Sequence, residues 1–299
     1  MIGHAALGLV LAALVGAALG WRSVPWVADA LLKRAYDRAT TWWWQSFEGY
    51  RSFKRAFPDR PLSVSARGEE GAVALWLEDA LRAARSGCLA QERVQALKEA
   101  GLEVSPASAA RTEHEQEKRC SFPATLRKRA ALALAGAASG VAIVLAGLPA
   151  VPSACLAVCA FFMLAAVACD LRARMLPLEC CIALAVAGAA FQASWAGVAS
   201  MGAGCAFGAV VVAACFAVNR WWGARGAAPI GHGDVRCMAS LSLATGAAAP
   251  VGLAACYASA GVVAAVGLAT RKLSLRDGIP MAPFLALWLI GGVYVAVCM

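Results

Sequence analysis

Hydrophobic residues run along most of this chain in blocks close to the length of a membrane crossing, broken by one long polar segment and several short ones. A helix rises 1.5 Å per residue, so about 20 apolar residues cross the hydrocarbon of a bilayer. Blocks of this kind predict spans near residues 2–21, 130–148, 154–169, 179–197, 201–218, 235–246, 251–270 and 281–298. Residues 235–270 would make one helix of about 54 Å, too long for a single crossing, so a bend is expected at Gly246 and Pro250. The 235–246 arm is the shortest of the eight. No Lys or Arg precedes the first block and Arg22 follows it at once. That polarity is the reverse of a cleaved signal peptide, and predicts an anchor with its N-terminus outside.

The polar segment, residues 22–128, has helical periodicity of a different kind. From Glu69 to Arg85, Val73, Leu77, Ala80, Leu81 and Ala84 form one stripe with charges opposite, the pattern of an amphipathic helix. A second helix is predicted over 91–100, with Gly101 in the place of a C-terminal cap. Ser105-Pro106 has the form of an N-cap followed by proline at the first helical position. Trp42-Trp43-Trp44 suits either an interfacial anchor or the core of a small domain. No catalytic or nucleotide-binding motif occurs in this segment.

Composition sharpens the picture. Of 299 residues 61% are hydrophobic and 15% charged, with a mean hydropathy of +0.66, against about 25% charged for an ordinary soluble domain. A disordered chain, a nucleic-acid binder and a compact secreted domain are excluded. Most of the charge lies between Arg22 and Arg129; beyond Arg129 the acids are Asp170, Glu179, Asp234 and Asp277 alone. The net charge of +9 fits loops lying against anionic lipid. Eight spans that start outside leave 22–129, 170–178, 219–234 and 271–280 in the cytoplasm. Every Lys and Arg falls in those segments or within a turn of them, as cytoplasmic loops require. Both termini are then outside. The expected architecture is an all-α polytopic membrane protein of about eight transmembrane helices: an anchor (1–21), a small helical cytoplasmic insert (22–128) and a seven-span unit (129–299).

Twelve cysteines form neither a disulfide framework nor a zinc site by spacing. Ten lie in the apolar remainder, where cysteine packs as a small hydrophobe; Cys155/Cys159 and Cys180-Cys181 are read that way.

Ionisable residues at membrane depth are candidates for function. Glu179 opens a helix, where an acid suits the positive end of the dipole, and Asp277 follows Arg271, Lys272 and Arg276. Asp170 and Asp234 have no such account. Asp170 ends one span and Pro177 follows seven residues on; Asp234 closes Gly231-His232-Gly233-Asp234 and opens another span. Glycines there allow close backbone approach. His232 reads as loop filler, His4 and His114 have no visible partner, and Arg172 and Arg174 suit lipid headgroups.

With these elements the sequence resembles the type IV prepilin peptidases, membrane aspartyl proteases of the G-x-G-D type that include archaeal preflagellin peptidases. That family has an Asp ending one span, Leu/Ile-Pro seven residues later, and G-x-G-D opening a later span. Asp170, Leu176-Pro177 and Gly231-His-Gly-Asp234 stand in those places. Arg236 matches a basic residue two positions after the second Asp, and Pro280-Met-Ala-Pro283-Phe284 a later P-x-x-P-F signature. The resemblance covers roughly residues 129–299. It implies a catalytic pair, Asp170 and Asp234, supported by Gly231, Gly233, Pro177, Arg236, Pro280 and Pro283.

The resemblance further implies an endopeptidase that removes the short basic leader of prepilin-like proteins at the cytoplasmic face, with membrane lipid as solvent and no nucleic-acid partner. No metal and no other cofactor is expected. Residues 22–128 lack the paired C-x-x-C motifs that accompany N-methylation in many bacterial members, so neither methyltransferase activity nor S-adenosylmethionine is expected. The acid usual just after Leu/Ile-Pro is displaced by one position to Glu179. Two other classes remain open at this point: a transporter or proton channel using the two acids as a relay, and an intramembrane protease of the presenilin type. The relay is disfavoured by acids at the surface rather than the midplane. The presenilin type is disfavoured by the absence of a Pro-Ala-Leu element after Asp234.

Overall fold

The computed structural model describes residues 2–62, 68–85, 89–104, 125–223, 230–271 and 279–298. All regular structure among them is helical. The chain forms two compact units, one of Met1–Leu31 with Phe122–Met299, the other of Leu32–Ser121.

The helices of the first stretch are α1 (Ile2–Ala18) and α2 (Val24–Ala56), joined by a π-helical turn at Leu19–Ser23. Helix does not stop at Trp21, where the first predicted span ends, but continues without a break to Ala56. Pro25 explains the π-turn. It has no N–H and its ring crowds the carbonyl four residues back; widening the turn, with the Val24 N–H bonded five residues back to the Leu19 carbonyl, accommodates it.

The smaller unit is built on α2, α3 (Glu69–Arg85) and α4 (Gln91–Glu99). The amphipathic stripe was legible, and α3 has the bounds its periodicity predicts. Trp43, Phe47 and Tyr50, one face of α2, are buried with Trp76, Ala80 and Ala84 of α3 and Val94 and Leu97 of α4. Of the three tryptophans, Trp43 is thus a core residue, stacked on Phe47 with ring centroids 5.4 Å apart, while Trp42 and Trp44 are exposed. Arg93 is buried with its guanidinium 5.2 Å from the Trp43 ring and donating to Thr40 Oγ1 at 2.9 Å, so the charge is not left unsatisfied. Gly101 has φ +82°, the left-handed cap its position suggests. Ser105-Pro106, His114 and Cys120 lie outside the described residues.

The apolar unit adds α5 (Leu126–Leu145), α6 (Ala150–Ala173), α7 (Leu178–Trp195), α8 (Gly197–Gly223), α9 (His232–Thr245), α10 (Ala249–Ala269) and α11 (Ala282–Cys298). Among the described residues six helical stretches are long and apolar enough to cross a membrane. One of them, His232–Ala269, is broken by a 3₁₀ turn at Gly246–Ala248 into α9 and α10, with Gly246 at φ +57° and Pro250 in the first turn of α10. The bend falls where the sequence requires it. With α11, apolar but only 17 residues long, this makes eight helical arms in a polytopic all-α membrane protein.

Small residues let these helices approach. A Cβ on Gly16 of α1 or on Gly20 of the π-helical turn would collide with the α5 backbone at Gly136 or Leu132, and one on Gly140 with Ala12. Two G-x-x-x-G repeats thereby face each other, the arrangement that brings helix backbones into contact in lipid.

At the centre lies α9, only 14 residues long, with Val235, Cys237, Met238, Leu241 and Ala244 buried among α7, α8 and α11. Its buried hydroxyls are satisfied within the helix: Ser240, Ser242 and Thr245 donate to the carbonyls of Arg236, Met238 and Leu241 at 3.0, 2.9 and 2.7 Å. Beyond Thr245 the backbone is irregular and needs partners away from water. Gln192 supplies them, donating to the Ala244 carbonyl at 2.8 Å and accepting from Ser200, whose oxygen accepts from the Ala247 N–H at 3.1 Å. The short helix can thus end inside the protein, which fixes the depth of its other end, where Asp234 sits.

Candidate active site

Asp170 is in the last turn of α6 and is 5% exposed. The helix is closed by Arg174, in the left-handed conformation at φ 52°, whose N–H returns to the Asp170 carbonyl at 2.8 Å. Asp170 points its carboxylate at the start of α11, 112 positions along the chain. The Ala282 N–H donates to Oδ2 at 2.8 Å, with the Met281 N–H beside it facing the same carboxylate. The first N–H groups of a helix have no partners of their own and carry the positive end of its dipole. The Pro280-Met-Ala-Pro283 element is therefore the anion cradle of Asp170. Pro283 has no N–H to offer, so the donors are the residues between the two prolines.

Asp234 is the third residue of α9, half-buried, behind the N-cap residue Gly231. Its carboxylate folds back toward the backbone of Gly231, the position of the acidic half of a capping box. A Cβ on Gly231 would stand 2.9 Å from Asp234 Oδ2, so the closeness of backbone to carboxylate depends on glycine.

Gly233 faces the other way. A Cβ there would meet Leu176 Cβ at 3.1 Å and its backbone at 3.5–3.6 Å. The G-x-G-D turn and the Leu-Pro turn thus pack directly on each other, with Leu176 and Pro177 buried. Pro177 caps α7, its carbonyl accepting from the Cys180 N–H at 3.2 Å.

These contacts bring Asp170 and Asp234, 64 positions apart, to one end of the bundle, close enough that the Asp170 charge acts on Asp234. The Arg174 charge acts on Asp170 in turn. The sequence suits Arg174 to a headgroup contact, and its left-handed backbone at the end of α6 has no sequence signature. Arg236 is exposed, two positions beyond Asp234, with its charge reaching Cys181. Glu179 lies in the first turn of α7 as expected, its charge felt by the neighbouring Cys169. His232 is exposed, and Asp277 lies outside the described residues. Cys169, Cys180, Cys181 and Cys237 are buried between helices around the pair, and among the described residues no group of three or more His, Cys, Asp or Glu is set to hold a metal.

The model of the type IV leader peptidase family matches residues 157–295. Over these residues, somewhat less than half of the chain, the sequence is similar to that family. The match runs from within α6 to within α11 and includes both aspartates, the Leu-Pro and G-x-G-D turns and the P-x-x-P-F element. A leader peptidase is a protease, so the relay alternative gives way to a membrane peptidase. No curated protein and no solved structure matches the chain.

Asn219 was missed by sequence reading. It lies in α8, within the turns that close the helix, and its side chain holds the residue before the G-x-G-D turn. Its signal was an amide at the end of an otherwise apolar block. Gln192 has the same signal, a lone amide inside a span.

Proposed function

We propose that this leader peptidase is an aspartyl endopeptidase using Asp170 and Asp234, and that it cleaves the short basic leader of prepilin-like proteins at the cytoplasmic face of the cell membrane. One observation carries the reading. Two carboxylates from distant helices come together at one end of the bundle, and each is held by backbone N–H groups at a helix start.

Amide hydrolysis needs a base to take a proton from water and an acid to give one to the carbonyl oxygen and then to the leaving amine. Two interacting carboxylates share one proton and so supply both roles from a single pair. The ionised partner takes a proton from water as its oxygen attacks the carbonyl carbon, and the protonated partner gives its proton to the carbonyl oxygen. The tetrahedral diol then collapses, the C–N bond breaks and the nitrogen leaves as the amine with a proton from the pair. The pair titrates as a unit.

The cytoplasmic placement is supported by the distribution of Lys and Arg along the chain. A leader junction next to an apolar substrate helix would lie at the depth of helix ends, where both acids are found. The test is co-expression with a candidate prepilin, following the mobility shift of leader loss in wild type and in Asp170→Asn and Asp234→Asn.

A further inference from the structure

Ile230, the residue before the G-x-G-D turn, is held by the side chain of Asn219. Asn219 Oδ1 accepts from the Ile230 N–H at 3.0 Å, and Asn219 Nδ2 donates to the Ile230 carbonyl at 2.9 Å. Donor and acceptor chemistry fix which end of the amide faces which group. The Ile230 carbonyl and the Gly231 N–H belong to the same planar peptide unit, and in a trans peptide they point in opposite directions. The N–H end of that unit belongs to Gly231, whose backbone lies so close to the Asp234 carboxylate that a Cβ on it would stand 2.9 Å from Oδ2. Asn219, the Ile230–Gly231 peptide and Asp234 therefore form one polar row, in which a bond at one end of the peptide unit polarises the other. Holding the carbonyl fixes the rotation of the peptide plane, and so fixes where its N–H is aimed.

We propose that Asn219 is a positioning residue for Asp234: by gripping the Ile230 carbonyl it keeps the Gly231 N–H directed at the carboxylate. The role in catalysis rests on the reading of Asp234 as one of the reacting acids, whereas the orientation of the peptide does not. Asn219 touches neither substrate nor the carboxylate itself, and α8 is not among the elements that supply the two acids. The other side of the turn is set by packing of Gly233 on Leu176, which fixes position but not the rotation of the 230–231 peptide.

Two variants separate orientation from tethering. Asn219→Asp keeps the acceptor for the Ile230 N–H and loses the donor to the carbonyl; Asn219→Ala loses both. The full-length protein in detergent is examined by thermal unfolding, by amide hydrogen exchange at Gly231, and by steady-state cleavage of a synthetic peptide. That peptide has a basic leader ending in Gly followed by an apolar helix. Both variants are expected to unfold near the wild-type temperature and to exchange the Gly231 amide about tenfold faster. Their kcat is expected to fall about 10- to 100-fold, with KM within twofold. Gly231 exchange at the wild-type rate in Asn219→Asp overturns the proposal. So does a wild-type kcat in that variant, and so does loss of the fold in both, which would make Asn219 a structural tie. If wild type leaves the peptide uncut, the substrate assignment has failed, while Gly231 exchange still decides the role of Asn219.

Discussion

The Asp170 carboxylate accepts the backbone N–H of Ala282 at 2.8 Å, joining the end of α6 to the start of α11. An acid that ends one apolar helix thus serves as the N-terminal cap of another. Because the donors are backbone groups at the positive end of a helix, the carboxylate is held in place by groups that cannot change rotamer. The same contact gives Asp170 two separable roles, one in the fold and one in the proposed chemistry.

Asp170→Asn separates them. Asparagine keeps an oxygen for the Ala282 N–H but cannot exchange a proton with water, so the variant should fold and insert while losing cleavage at least about 100-fold. Asp234→Asn should behave in the same way. Asp170→Leu, lacking the acceptor as well, should lose activity and also melt earlier by the equivalent of about 1–3 kcal/mol for the orphaned buried N–H groups. Cleavage assays with thermal unfolding in detergent check all three, and substantial cleavage by either Asn variant would remove the dyad.

Gly233 should tolerate little. An added Cβ stands 3.1 Å from Leu176 Cβ, tighter than an ordinary contact, so Gly233→Val should lower both stability and activity, by about 1–3 kcal/mol for an overpacked site. Leu176→Ala opens the facing space. In the double variant part of the loss should return, giving a positive coupling in a double-mutant cycle of unfolding free energies. Strict additivity would mean that the two turns do not press on each other.

Gln192→Leu should destabilise the protein with little direct effect on chemistry. It leaves the Ala244 carbonyl and the Ser200 hydroxyl without their amide partner in a buried place, at a cost of about 1–3 kcal/mol. The expected signature is a lower unfolding temperature with kcat near wild type at low temperature. Loss of kcat without loss of stability would instead tie this end of α9 to the reaction.

Truncation should respect the compact units and not the charge pattern. Val24, Ala28 and Leu31 are buried, and the Ala28 carbonyl accepts from the Cys169 thiol at 3.7 Å, beside Asp170. Replacing residues 35–120 by a short flexible linker should leave membrane insertion and the melting of the apolar unit unchanged. Replacing 25–125 should impair both. Equal behaviour of the two deletions, read by proteolysis and thermal unfolding, would show that residues 25–31 are dispensable.

The sequence by itself determined the class of the fold. Apolar blocks of membrane length, a break forced by 36 residues at Gly246, and the stripe of α3 are one-dimensional consequences of lipid thickness and helical period, and the structure agrees with each. The candidate acids were legible for a related reason: a carboxylate in an apolar block is costly, so its presence asks for an explanation. The end of the first helix was not legible. Apolar blocks locate crossings but not helix ends: a π-turn accommodates Pro25 and the helix runs on to Ala56. Tertiary structure alone decided what surrounds the acids. The donor to Asp170 is the backbone N–H of Ala282, and Asp234 lies against the peptide that Asn219 holds. Every residue but proline carries the same N–H, so no residue type announces such a partner. Only the packing of helices far apart in sequence brings a particular N–H to a particular carboxylate.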